Sequence, residues 1–174
     1  ASVTVSGTYT YTGAAIVPPA SEVAVMLNGK PVDSDQYTIS ASNNINAGVA
    51  VATLTATATE NGNYSGSVSS TFTIAPATLT ITASDQTITY GGSIATGTDQ
   101  VTPAGLVGGD TLESVTLEAS SDQVAVTDKT ITPSAAQIRN TSGADVTGNY
   151  KITYEMGTLT INKAQSAVTV NPTA

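Results

Sequence analysis

The side chains in this chain that could do chemistry are few, and their types narrow what that chemistry can be. Thirteen Asp and Glu and five Lys and Arg are spread over 174 residues, with no His, Cys or Trp. Without His or Cys, neither a Ser-His-Asp nor a Cys-His nucleophile can be assembled, and a histidine- or thiolate-bound zinc is equally excluded. A pair of carboxylates could still cleave a glycosidic bond, but the acids are scattered and Phe72 is the only phenylalanine to help platform a sugar. Asp33 and Asp35 in "DSDQ" have the spacing that opens many oxygen-ligand loops, yet the glycine and distal glutamate of a calcium loop do not follow. A solvated hairpin turn accounts for them, and Gly108-Gly109-Asp110 likewise reads as a turn. The sequence therefore predicts no catalytic, cofactor-binding or metal-ligating residues, and no enzyme.

Two polar groupings invite a binding reading. Seven tyrosines (Tyr9, Tyr11, Tyr37, Tyr64, Tyr90, Tyr150, Tyr154) could line a carbohydrate site. Most stand at strand positions, however, and Tyr64 and Tyr150 occupy matching places, as expected of tyrosines that pack their rings in a sandwich core and tie their hydroxyls to nearby backbone. Asn43, Asn44 and Asn46 precede an alternating strand, with Gly48 where a bulge or tight turn would fall. Asn satisfies local backbone groups and tolerates the left-handed region, so the cluster reads as a corner rather than a ligand site.

The elements that must carry these residues are strands. Apolar residues recur at period two, as at Val3 and Val5, Leu79 and Ile81, Val115 and Leu117, Val124 and Val126, and Ile152 and Tyr154, with Val49, Val51 and a Thr53–Thr59 ladder between. Turn signals separate them: "LNGKP" (27–31), "NNINAG" (43–48), "ENGN" (60–63), "GGD" (108–110) and "NTSGAD" (140–145). Asn28-Gly29 and Asn61-Gly62 offer the positive-φ positions of tight hairpins. "TPSAAQIRN" (132–140) could manage a helical turn, but its apolar spacing is too short for a helix. Only 10% of residues are charged, and the net charge of −8 cannot neutralise a run of phosphates, which excludes nucleic-acid binding and electrostatic docking on anionic lipid. No apolar run reaches the length of a membrane span, and the opening "ASVTVSGTYT" has no signal-peptide character, as expected of a mature or excised segment.

The chain also repeats itself. "GNYSGSVSSTFTIAPATLTIT" (62–82) is echoed by "GNYKITYEMGTLTINKAQSAVTV" (148–170), with Phe72 and Ile74 matching Leu159 and Ile161. Unit starts are alike at "SVTVSGTYTYTG" (2–13), "TLTITASDQTITYGG" (78–92) and "SAVTVNPTA" (166–174). The spacing predicts an all-β chain of two tandem Ig-like β-sandwich domains. The first spans residues 1–75 and the second 76–164. Residues 165–174 form a terminal strand that either starts a further repeat or completes the second.

In the first unit "YTYTGAAIVP" (9–18), "LNGKPVDSDQYTIS" (27–40), "NNINAGVAVATLTA" (43–56) and "GNYSGSVSSTFTI" (62–74) resemble the Ig-like repeats of bacterial cell-surface proteins. In the second, "LTITASDQTITYGG" (79–92), "GLVGGDTL" (105–112) and "GNYKITYEMGTLTI" (148–161) are similar to the MBG or YDG class of such repeats. Residues 119–140 match no standard element of the pattern, and inserted loops are where such modules keep private functions. The resemblance implies no catalytic residues and no cofactor. It does raise the Lys–Asn isopeptide bond of some similar adhesin domains, for which Lys30, Lys129, Lys151 and Lys163 are the candidates; the alternation of Lys151 with Ile152 points it to solvent. The expected role is a non-catalytic spacer in a stalk, outside or on the surface of a bacterial cell, with neighbouring repeats of the same chain as partners. The alternative is an adhesin module that holds a glycan or a host glycoprotein, without nucleic acid and without insertion in a membrane.

Overall fold

The structure is a computed structural model and describes residues 1–120 and 129–165. The strand over Val124 and Val126 and the terminal strand of residues 166–174 lie outside the described residues. Beta-branched Thr, Val and Ile in alternation with small residues form strands because a pleated, half-buried surface accommodates them. The first seven are β1 (Ser2–Val5), β2 (Tyr9–Thr10), β3 (Val23–Leu27), β4 (Lys30–Pro31), β5 (Tyr37–Ser42), β6 (Gly48–Ala58) and β7 (Ser67–Ala75). They are followed by β8 (Ala77–Ala83), β9 (Gln86–Thr89), β10 (Val101–Ala104), β11 (Thr111–Ala119), β12 (Thr130–Arg139), β13 (Tyr150–Glu155) and β14 (Gly157–Asn162). Three-residue 3-10 turns are the only helical pieces among the described residues. The protein is all-β, with its sheets packed together in the manner of a β-sandwich.

The same strand order occurs twice. One four-stranded sheet runs β2-β7-β6-β5, and the other, read in the same sense, runs β9-β14-β12-β11. Each holds one parallel pair, β2 with β7 and β9 with β14. The match continues in the backbone, since the Tyr11 N–H donates to the Ala75 carbonyl and the Tyr90 N–H to the Asn162 carbonyl. In the three-stranded sheets, β1-β3-β4 and β10-β8-β13, β1 pairs antiparallel with β3 as β8 does with β10. The repeat legible at Gly-Asn-Tyr is thus a repeat of topology.

By compactness the chain divides into two units. The first holds Ala1–Leu79, Gly105–Thr111 and Ile138–Ile152, and the second holds Thr80–Ala104, Leu112–Gln137 and Thr153–Ala174. The core of the first is built by Val3, Val23, Val25, Leu54, Phe72 and Ile74, with Ala52 and Ala56 small enough to let the sheets close on one another. Its outward face is a grid of hydroxyls in register: Thr38, Thr57 and Ser67; Ser40, Thr55 and Ser69; Ser42, Thr53 and Thr71. The second unit buries Ile81, Ala83, Val101, Leu117, Ile131 and Leu159.

Two departures from simple alternation share one cause. In β6, Gly48 pairs with Ile74 and Ala52 with Phe72, so extra residues bulge between them. Ala50 there sits at φ +53°, and Val49 and Val51, expected to alternate into the strand's apolar face, are exposed. In β12, the segment read as a possible helical turn, the buried phase shifts from Ile131 and Pro133 to Ala136 and Ile138, with Ala135 at φ +50°. The three-residue step from Pro133 to Ala136 is a strand with one residue too many. Asn28 and Gly29 do take positive φ between β3 and β4, whereas the β6–β7 connection places its positive φ at Gly66 and not at Asn61 or Gly62.

Candidate functional site

The most organised polar arrangement is buried in the first unit, where residues far apart in sequence converge on one carboxylate. Asp110, read from sequence as a turn residue, is only 6% exposed. Its Oδ2 accepts a hydrogen bond from the Tyr150 hydroxyl at 2.7 Å and another from the Tyr11 hydroxyl at 2.9 Å. The Tyr150 oxygen in turn accepts from the Val107 N–H at 3.2 Å. The two rings meet edge to face with centroids 5.5 Å apart, a favoured aromatic geometry. No buried side-chain polar atom among the described residues lacks a partner.

Local structure places each member. Tyr11 leaves β2 held by its bond to Ala75, Asp110 closes a turn through its N–H to the Val107 carbonyl, and Tyr150 opens β13. Gly13 and Gly108 meet back to back: a Cβ on either would lie 2.7 Å from the other's Cα, so only glycine permits the approach. Burial raises the pKa of Tyr11 and of Tyr150, and hydrogen bonding to the Asp110 carboxylate raises both further, because an ionised phenol beside that charge would be repelled.

Next to this triad the asparagine corner is engaged. Asn149 donates through Nδ2 to Asn46 Oδ1 at 3.0 Å and accepts from the Ala47 N–H at 2.8 Å. Asn44 is buried and donates to the Ile16 carbonyl at 2.7 Å. The cluster is a corner, as read, but one half of it also holds the Gly148-Asn149-Tyr150 turn. The first copy of that turn behaves differently. Asn63 and Tyr64 are exposed, Tyr64 by 41%, so the expectation that Tyr64 packs in a core as Tyr150 does is not met.

The remaining candidates are not brought together. Asp33 and Asp35 are exposed in their turn, and Gly108 and Gly109 are exposed with Asp110 turned inward. No group of three or more Asp or Glu among the described residues is placed to hold a metal ion. Lys30, Lys151 and Lys163 are exposed and Lys129 is half-buried. Tyr9 bonds Glu22, and burial first and that carboxylate second push its pKa up to about 12. No described helix is long and apolar enough to cross a membrane.

Among the described residues the chain is all-β, and its buried polar residues Tyr11, Asp110, Asn149 and Tyr150 bond to one another or to neighbouring segments. Residues 79–160 match the family model of the MBG domain, YGX type, the class of repeat that their motifs led us to expect. No curated protein and no solved structure matches the chain.

Proposed function

We propose that the protein is a non-catalytic spacer: two tandem Ig-like β-sandwich repeats, residues 1–75 and 76–164, in the stalk of a secreted or surface-anchored bacterial protein. One observation carries this reading. The polar residues removed from water, Tyr11, Asp110, Asn149 and Tyr150, are used to fasten the segments 105–111 and 138–152 onto the first 79 residues, and fastening stiffens a chain of modules. The exposed Thr and Ser grid, without charge or large aromatic faces, suits a surface that recognises nothing. On this reading the partners are neighbouring repeats of the same chain, outside the cell.

The alternative, an adhesin module for a glycan or host protein, has its own observation. Val17, Ile45, Val49 and Val51 are exposed around the asparagine corner, Val49 by 83%. Such a patch is one sign of an interaction site, and a strained backbone at Ala50 is another. The test is a screen of the whole chain against glycan arrays, mucin and matrix proteins. Saturable binding that is lost in Val49→Ser with Ile45→Ser overturns the spacer reading; no saturable binding on any surface supports it.

A further inference from the structure

Among the described residues, one joint is made and the counterparts of its two halves lie exposed. In the occupied joint the tyrosine that follows the parallel strand of one sequence repeat, Tyr11, enters a socket made by Asp110, Asn149 and Tyr150 of the other. Tyr11 is 3% exposed there, and Asn149 and Tyr150 are 6% and 7% exposed. Each part has a counterpart fixed by topology. Tyr90 stands at the place of Tyr11, just past the parallel strand and bonded through its N–H to the partner strand, but it is 51% exposed. Gly62-Asn63-Tyr64 stands at the place of Gly148-Asn149-Tyr150. Gln36, the residue before β5, stands where Asp110 stands before β11.

These counterparts of the socket lie together. Gln36, Asn63 and Tyr64 border a cleft of about 350 Å³ floored by Val25, Ala56 and Val68, large enough for a sizeable aromatic group to enter, since ligand pockets begin at roughly 300 Å³. Gln36 Oε1 accepts from the Asn63 N–H at 3.1 Å and from its side chain at 3.4 Å, so the acceptor and the Gly-Asn-Tyr turn are already paired before any tyrosine arrives. A neutral amide replaces the carboxylate of Asp110, and a tyrosine hydroxyl can either donate to or accept from it.

We propose that this cleft is a docking socket for the Tyr90 loop of another copy of the chain, so that successive copies, or successive repeat pairs of one long chain, join head to tail through the same kind of contact as Tyr11 makes internally. The inference rests on the spacer reading and deepens it by naming the surfaces through which neighbours meet. Two different patches that complement each other give a heterologous contact, and a heterologous contact that does not close on itself extends without limit. Between separate molecules the contact will be weak, because within one chain the tether supplies an effective concentration on the order of millimolar.

The test uses the whole chain at concentrations up to the millimolar range, followed by sedimentation and by amide chemical shifts. Tyr90→Ala removes the entering side chain and leaves the cleft. Ser65→Trp, at an exposed residue of the cleft wall, fills the cleft and leaves Tyr90. The unaltered chain should form a growing series of oligomers, with shift changes at Gln36, Asn63, Tyr64 and Tyr90. Each variant alone should associate at least tenfold more weakly, and an equal mixture of the two should form dimers and nothing larger. An unaltered chain that stays monomeric, a variant that associates as well as its parent, or a mixture that fails to pair overturns the proposal. None of those results bears on the screen for glycan and matrix binding, so the spacer reading stands or falls separately.

Discussion

A single carboxylate organises the buried polar network, and its energetics follow from what each partner loses. Tyr150 donates its proton to Asp110 and accepts from Val107, so Tyr150→Phe removes a bond to a charged group and also leaves the half-buried Val107 N–H without its acceptor. Hydrogen bonds to charged groups contribute about 1.5–3 kcal/mol, and an orphaned buried polar group costs about 1–3 kcal/mol. Tyr11→Phe loses the bond that the Tyr11 hydroxyl donates to Asp110 and its contact with the Asn149 side chain, but strips no backbone N–H of its acceptor. Urea denaturation should therefore rank Asp110→Ala as most destabilising, Tyr150→Phe next and Tyr11→Phe least, with the last at about 1–2 kcal/mol. Because Tyr11 and Asp110 share one bond, Tyr11→Phe combined with Asp110→Ala should cost less than the sum of the two changes by at least 0.5 kcal/mol or so. Full additivity would mean that the hydroxyl of Tyr11 does not bond this carboxylate in solution.

At the level of strands, both bulged elements hold an alanine in the left-handed region, Ala50 in β6 and Ala135 in β12. A residue with a Cβ spends roughly 1–2 kcal/mol there, while glycine loses about 0.5–1 kcal/mol more backbone entropy on folding. The balance predicts that Ala50→Gly and Ala135→Gly each stabilise by about 0.5–1 kcal/mol, a rise in thermal midpoint of about 1–4 °C for a chain of this size. A lowered midpoint in either variant would show that the strain is not relieved by removing the Cβ. These bulges also mark how far the sequence could be read. Period-two alternation located β1, β8 and the regular part of β6, because a strand with one buried face writes that pattern directly. It failed at Val49, Val51 and residues 132–140, because an inserted residue resets the phase and no local side chain announces it. The joint was half legible. Gly-Asn-Tyr could be seen to recur, but Tyr64 and Tyr150 follow the same Gly-Asn pair and differ in exposure, so burial there is decided by what packs against the turn. Asp110 gave still less, since the tyrosines that bury it lie 40 and 99 residues away.

Over the whole molecule, the absence of His and Cys leaves tyrosine as the side chain whose ionisation most directly tests the buried network. Tyr9, Tyr11 and Tyr150 all have raised pKa values, in each case chiefly from burial and then from a carboxylate bonded to the hydroxyl, with Tyr9 at about 12. A phenol whose pKa is higher in the folded chain than in the unfolded one binds its proton more tightly when folded. Its contribution to stability is complete below the unfolded value of about 10 and disappears as pH climbs through the folded value. The chain has no His or Cys, so no side-chain type with a reference pKa between about 6 and 9 is present. Stability from these groups should be flat across that range and then fall steadily between about pH 10 and 12. Absorbance at 295 nm should show late ionisation of the three phenols, merging with unfolding. In Tyr11→Phe the alkaline fall should be shallower, because one of the protons held by the folded chain is gone. An alkaline slope identical to that of the unaltered chain would mean that Tyr11 contributes nothing to it, and that Asp110 is held in solution by Tyr150 alone.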